Sequence, residues 1–292
     1  MARKAALAGL TSLLLLAGCG GRKTIVVGSK NFTEQVLLGE LAAQQLERRL
    51  PTQVVRKLDL GGTMLAHQAL LAGGIDVYPE YTGTALTAIL KLPISSDPQA
   101  VYKQVAAEYQ SRWKALWLPP LGFNDTFAMV ISGEVARKEG IKTLSQAAQR
   151  KEGWQLGVGY EFLQRPDGLP GLQKTYPLTL KAAPRTMDLG LLHKALQQGQ
   201  VEMVAANSTD GLLAVLDLTV LEDDKRFFPP YEAAFVLGER LWKNDGARLA
   251  LEELSGKLDT VTMRKLNFEV DGKHRRPAEV VTEFLAGLGP KQ

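Results

Sequence analysis

The chain has 292 residues, of which 45% are hydrophobic and 23% charged, with a formal net charge of +4. That length and balance describe a globular protein with one large core or two smaller ones, and two lobes fit better. Lysines and arginines are dispersed among the acids, which excludes a nucleic-acid footprint, and a single cysteine excludes an internal disulfide.

The opening, MARKAALAGLTSLLLLAGCG, reads as an export signal: basic at Arg3 and Lys4, apolar from Ala5 to Ala17, then Leu16-Ala17-Gly18-Cys19. Its apolar stretch is shorter than the roughly 20 residues a membrane-spanning helix needs, and no later run reaches that length, so no transmembrane anchor is expected. The small residues before the cysteine resemble the lipobox of bacterial lipoproteins. That resemblance implies a signal peptide over residues 1–18, a lipidated Cys19 and a linker over 19–23. A plain secretory signal with an incidental cysteine is the alternative.

TIVVGS, residues 24–29, reads as a buried strand of a parallel sheet. A helix is predicted directly after it, with Asn31 as N-cap, Glu34 completing a capping-box pattern, and Val36, Leu37 and Leu41 on an apolar face. Lys30 then sits at the strand-to-helix junction. The unit repeats: QVVRKLDL as a strand, GGTMLAHQALLAGG as a glycine turn and helix, and IDVYPEY as a short strand entering the helix TGTALTAIL. Within DVYPEYTGT, the strand is expected to end at Tyr78, with Pro79 and Glu80 setting a corner and Tyr81 beyond it. This alternation points to an α/β sheet. Ligands gather beyond the carboxyl ends of such strands, where Lys30, Gly61, Gly62 and Tyr81 all fall. The Gly61-Gly62 pair is expected to form a tight turn, with an anion cradle at the helix start as the weaker alternative.

A helical pattern from Asp97 to Trp113 leads into LWLPPLGFNDTFAMVIS, a Pro-rich crossing followed by a strand, which places a lobe boundary near Asn124. WQLGVGY, FLQRPDGLPGLQKTY, MDLGLLHKALQQGQ and VEMVAANSTDG form a second small α/β unit. DLTVLEDDKRFFPPYEAAFVLGER carries a second Pro-Pro crossing, and the chain from about Gly246 onward is helical. The expected division is residues 24–123 and 230–292 in one lobe and 124–229 in the other.

Taken in order, GSKNFTEQ, LGGT, DVYPEYTGT, NDTF, RPDGLPGL, ANSTDG and LEDDKRFFPPYEAA resemble the substrate-binding proteins of osmoprotectant ABC transporters, the glycine betaine, choline and carnitine binders. The likeness runs from about Thr24 to the C-terminal helices. It implies an α/β fold of the type II periplasmic binding protein kind, with two lobes joined by two hinge crossings that close over a ligand. It also implies a monomeric binding protein rather than an enzyme, with no cofactor, that serves an ABC permease and ATPase. Such a protein is extracytoplasmic, held to the membrane by the lipid on Cys19, in the periplasm or on the outer face of the cell membrane.

A betaine joins a quaternary ammonium, which cannot donate a hydrogen bond, to a carboxylate that needs cationic or hydroxyl donors. Aromatic faces meet the first demand. Matched to the family's cage, Tyr81 of PEYTGT and Tyr231 of FFPPYEAA occupy two positions. Phe127 of NDTF stands where the family often has tyrosine, and Asn207 of AANSTDG where many relatives carry an aromatic residue. Losing one face costs about 0.5 to 2 kcal/mol, while the Asn207 amide would suit a polar substituent on the ligand. Asp125 would help at the cation end through its backbone carbonyl or its carboxylate.

For the ligand carboxylate, Lys30, Thr84 and Arg165 match positions that some betaine-binding members use: a point charge, a hydroxyl and a bidentate fork. Two cations favour a carboxylated ligand, glycine betaine first, over choline, and a larger betaine such as ergothioneine could exploit Asn207. Taken singly, the tyrosines would be packing residues, Lys30 a surface lysine, Phe127 a core residue, Arg165 a brace for its turn and Thr84 a helix cap. Asp125 and Asn207 would then be turn and loop residues.

His67, His193 and His274 share no metal-ligand spacing, so no zinc site is expected; GxSxG and Walker motifs are absent. An enzyme of this fold such as hydroxymethylbilane synthase holds its cofactor on a cysteine, and the one cysteine here is Cys19, in the lipobox. A sensor that reports ligand without transport stays open.

Overall fold

The computed structural model describes residues 24–289; the expected signal peptide, the linker and Cys19 lie outside them. One sheet contains β1 (Ile25–Gly28), β2 (Val54–Lys57), β3 (Val77–Tyr81), β4 (Leu116–Trp117) and β10 (Ala233–Leu237). The other contains β5 (Phe127–Ser132), β6 (Leu156–Val158), β7 (Arg185–Thr186), β8 (Met203–Asn207) and β9 (Leu218–Val220).

The first sheet has the order β2-β1-β3-β10-β4, with Ile25 opposite Val54 and Val27 opposite Val77 in its parallel part and β10 antiparallel to both neighbours. The second, β7-β6-β8-β5-β9, has the same design: three parallel strands, then β5 antiparallel to β8 and β9. In each sheet the antiparallel strand beside the parallel block is the one the chain enters directly after crossing from the other sheet. The two crossings, residues 118–126 and 221–232, run side by side, with Asn124 bridged to Glu232 and Asp125 N donating to Tyr231 O at 3.0 Å.

β3 and β10 are buried along their whole length because helices cover both faces of the sheet. On one face Leu37, Leu41 and Leu46 of helix α1 (Thr33–Arg49) pack with Val27 and Phe235; on the other Val101, Val105 and Tyr109 pack with Tyr78 and Val236. The second sheet is covered in the same way, by Leu172 and Tyr176 over Leu156 on one side and by Leu192 and Leu196 over Val204 on the other. This double cover explains why β1, β6 and β8 read as continuous apolar runs, while the edge strands β2 and β7 carry exposed polar residues.

Two expectations fail close to the cleft. Helix α1 begins at Thr33 with Phe32 at its N-cap, so Asn31 is not the cap. Asn31 N instead donates to Gly61 O at 3.1 Å, and Glu34 turns inward to accept from Tyr81 and Asn267 rather than from the backbone. Nor is there a corner at Pro79-Glu80: β3 continues to Tyr81 in register with β10, Val77 opposite Leu237 and Tyr81 opposite Ala233. Because β1 pairs with β3 only at Val77, the missing N–H of Pro79 lies past that pairing. The chain turns after Tyr81, where Thr82–Thr84 start a helical run that continues as a π-helix over Ala85–Ile89.

Candidate ligand-binding site

A cavity of ≈ 190 Å³ lies between the two sheets. Lys30 follows β1, Tyr81 closes β3 and Asn207 closes β8, so carboxyl ends of parallel strands from both sheets meet there. Phe127 opens β5, Asp125 and Tyr231 come from the crossings, and Thr84 and Arg165 come from the segments after β3 and β6. Every side chain singled out in the sequence for ligand contact therefore lines one space.

The two tyrosines share a construction. Tyr81 Oη donates to Glu34 Oε1 at 2.7 Å, and Tyr231 Oη donates to Asp167 Oδ2 at 2.5 Å. A carboxylate on the hydroxyl enriches the ring in electrons, which strengthens its attraction for a cation over its face. Phe127 meets Tyr231 edge-on with ring centroids 5.6 Å apart and Phe162 at 4.9 Å, while Phe32 stacks on Tyr81 at 6.4 Å. Gly83 permits this: a Cβ there would come within 2.8 Å of the Tyr231 ring and 2.6 Å of Pro230 O. The Thr-Gly-Thr stretch after Tyr81 is small because the second cage ring lies against it.

Both cations expected to serve a ligand carboxylate already have acidic partners. Lys30 is ion-paired with Glu80 and donates to Thr63 Oγ1 at 3.2 Å. Arg165 forks onto Asp167, Nε to Oδ1 at 2.9 Å and Nη2 to Oδ2 at 2.5 Å, and Nη2 also reaches Thr84 Oγ1 at 3.2 Å. Donor capacity remains on each, since an ammonium has three N–H groups and a guanidinium five. Among the described residues Arg165 Nη1 makes no hydrogen bond and lies 3.6 Å from Glu161 Oε2. The expected separation into an aromatic end and a cationic end is not seen. Lys30 Nζ lies 5.0 Å from the centre of the Tyr81 ring and Arg165 Cζ lies 5.1 Å from that of Phe127, because ring faces attract the protein's own cations as well.

Acidic side chains outnumber these cations. Glu34, Glu80, Asp125, Glu161 and Asp167 surround Lys30 and Arg165. Asp125 Oδ1 accepts from Thr209 N at 3.2 Å and Thr209 Oγ1 at 2.7 Å, and Asn267 Nδ2 donates to Glu34 Oε2 at 2.9 Å. Burial and the charge of Glu34 push the Asp125 carboxyl well above its ordinary value. Burial also raises Glu34, against hydrogen bonds from Thr209, Tyr81, Asn267 and Asp125. Both carboxyls are therefore harder to ionise than an exposed acid. Asp167 behaves oppositely: burial would raise it, but Arg165 and the Tyr231 hydroxyl hold it below its ordinary value. Burial raises Glu80 as well, against the pull of Lys30, so the acids differ in how firmly they hold their charge, and carboxyls outnumber cations around the cavity, which favours a cation.

Asn207 pairs in register with Phe127 and opens onto an annex of ≈ 50 Å³. Phe32, Leu189 and Asn207 border both spaces, and Asp210, Asn267 and Asp271 line the annex. Sequence reasoning missed the acids beneath the rings. In the sequence Glu34 reads as part of a cap and Glu80 as part of a corner, and Asp167 has no role, although Asp167 stands two residues from the arginine it pairs with and Glu80 next to the tyrosine whose N–H donates to it. Phe32 and Phe162 were missed too; Phe32 lies inside GSKNFTEQ and Phe162 three residues before RPDG, and that proximity was the available signal.

Two like-built α/β sheets, two adjacent crossings and a ligand-sized cavity between the sheets define a type II periplasmic binding protein. The family described as the substrate binding domain of ABC-type glycine betaine transport system matches residues 23–287, and the chain belongs to it. The carnitine transport binding protein of Listeria monocytogenes serotype 1/2a (strain 10403S) is 32% identical over 94% of this chain and 92% of its own length. The ergothioneine transport permease/ergothioneine binding protein of Helicobacter pylori (strain G27) is 35% identical over 91% of this chain, which spans only 48% of that longer protein. The crystal structure of a glycine betaine/carnitine/choline ABC transporter superposes with a TM-score of 0.75 at 30% identity, over 90% of this chain and 98% of that one.

Proposed function

We propose that this chain is an extracytoplasmic solute receptor that captures a quaternary-ammonium osmoprotectant and delivers it to an ABC importer. No chemistry occurs on it; a permease and an ATPase subunit supply the pathway and the energy. One observation carries the ligand class: the rings of Tyr81, Phe127 and Tyr231 meet in a cavity with an excess of buried carboxyls, two of them bonded to the tyrosine hydroxyls. A permanent cation without N–H groups gains from ring faces and from the negative field, and loses nothing by lacking donors. In this role Tyr81, Phe127 and Tyr231 form the cage, with Asp125 and Asn207 at its border.

The unused donors of Lys30 and Arg165, with the Thr84 hydroxyl between Arg165 and the cage, favour a carboxylated ligand such as glycine betaine. Relatives named for carnitine and for glycine betaine support the same class. A second reading, a larger betaine of the ergothioneine kind, is favoured by the annex beside Asn207. The lobes would divide as 24–123 with 230–292 and 124–229, hinged at the adjacent crossings. The receptor would work as a monomer, tethered through lipid on Cys19.

Calorimetry of the protein against a panel of quaternary amines with and without a carboxylate tests this. Micromolar or tighter binding of at least one methylated ammonium compound is expected. Tight binding of non-methylated amino acids, with none of betaines or choline, would sink the proposal.

A further inference from the structure

Glu161 spans the cleft. It belongs to the segment after β6, yet Thr63 N and Thr63 Oγ1, at the start of the helix Thr63–Leu71 on the other sheet, donate to its two oxygens at 2.6 Å and 2.9 Å. Gly62 leaves room for that approach, since a Cβ there would lie 2.5 Å from Glu161 Oε1. Arg165 Nη1 is 3.6 Å from Oε2, and Lys30 shares the Thr63 hydroxyl. Burial would raise this carboxyl, but Lys30, Arg165 and the Thr63 donors hold it below its ordinary value.

These are the donors that Glu80 and Asp167 leave unused on the two cations, together with a backbone N–H and a hydroxyl. They are also what a ligand carboxylate would need, and the Glu161 carboxylate already holds the two Thr63 donors and lies beside Arg165 Nη1, with Lys30 on the far side of the shared Thr63 hydroxyl. The three acids differ in one respect. Glu80 and Asp167 are wholly buried, whereas the Glu161 side chain is 41% exposed and has solvent to move into.

We propose that Glu161 is an internal stand-in for a ligand carboxylate: it fills the carboxylate seat of the cleft, a betaine takes that seat by displacing it, and a quaternary amine without a carboxylate leaves it in place. Glu161 thereby sets the choice between the two kinds of ligand. With choline bound, the retained carboxylate adds to the field that holds the cation and keeps the lobes tied through Thr63. With a betaine bound, that tie must break, and the ligand carboxylate restores it. The inference takes its ligands from the solute-binding reading, but the seat itself can be tested without that reading.

Glycine betaine and choline are titrated calorimetrically into the wild type, Glu161→Ala and Glu161→Gln, the last keeping side-chain size should the alanine variant fold poorly. Removing the charge should tighten glycine betaine about tenfold while choline stays unchanged or weakens. An unchanged ratio of the two affinities in a folded variant overturns the proposal. If no methylated amine of the panel binds the wild type, the solute-binding reading fails and acetate decides the seat, followed through the Thr63 amide resonance. Acetate shifting that resonance in Glu161→Ala but not in the wild type supports the seat; no shift in either overturns it.

Discussion

Tyr81 and Tyr231 present similar rings to one cavity, yet the carboxylates beneath them handle charge in opposite ways. Under Tyr231, Asp167 lies in the fork of Arg165 and stays ionised. Under Tyr81, Glu34 accepts from the neutral groups of Tyr81 and Asn267, and burial beside Asp125 raises both carboxyls. One ring thus rests on a fixed ion pair and the other on a pair of acids that can change charge. A cation added near the first arrangement meets a carboxylate already paired with an arginine, whereas near the second it meets carboxyls that no cation among the described residues hydrogen-bonds.

The largest effect should come from making the same substitution in both regions. Asp167→Asn leaves a buried arginine without its counter-charge and should cost about 3 to 5 kcal/mol. Asp125→Asn can keep both Thr209 bonds and still donate toward Glu34, so its cost should stay within about 1 kcal/mol. Urea unfolding measures both, and equal losses would erase the distinction between the two regions.

Removing a ring comes next. Tyr81→Ala or Tyr231→Ala should weaken binding by about 2 kcal/mol, near thirtyfold, while phenylalanine at either position should lose less than alanine. Calorimetry resolves the series; unchanged affinity in Tyr81→Ala would remove that ring from the site. Asn207→Tyr adds a ring face to the cavity and should tighten a small betaine by up to about tenfold. If the annex serves a larger ligand, the same change should weaken that ligand.

The pH dependence separates the regions with the smallest effect. For Asp125 and Glu34, with carboxyls raised in the folded state, the unfolded chain releases its protons first. Stability therefore falls as pH rises from the ordinary carboxylate value, about 4, toward the raised one, and Asp125→Asn should flatten that slope. For Asp167 and Glu161, held low, the contribution is complete above about pH 4 and is lost as pH falls through their folded values. Melting temperatures from pH 3 to 9 show both limbs. A cation bound beside Tyr81 should also lower the raised Asp125 and Glu34 carboxyls. Calorimetry in two buffers of different ionisation enthalpy should detect a release of less than one proton per ligand, absent in Asp125→Asn.

Much of the frame was legible in the chain. The apolar run IVVG, the glycine turn at Gly61-Gly62 and the Pro-marked crossings announced alternating strands and helices, and Tyr81, Tyr231, Lys30 and Arg165 stood in motifs at element ends. Pro79 misled, because a proline in a strand ordinarily marks its end; here the partner strand on one side had already stopped at Val77. Glu34 misled because a glutamate three residues after an asparagine suits a capping box, whereas its partners Tyr81 and Asn267 lie 47 and 233 residues away.

By itself the sequence determined where strands and helices alternate and which residue types stand at their ends, because periodicity, glycine, proline and short motifs act over a few neighbouring residues. Only the tertiary structure decided which of the acids keep their charge. That depends on burial and on partners brought together from distant parts of the chain, Tyr231 with Asp167 and Thr63 with Glu161, 64 and 98 residues apart. A carboxyl beside an arginine fork and a carboxyl beside another carboxyl look alike in the chain. They differ once folding removes the water that would have screened both.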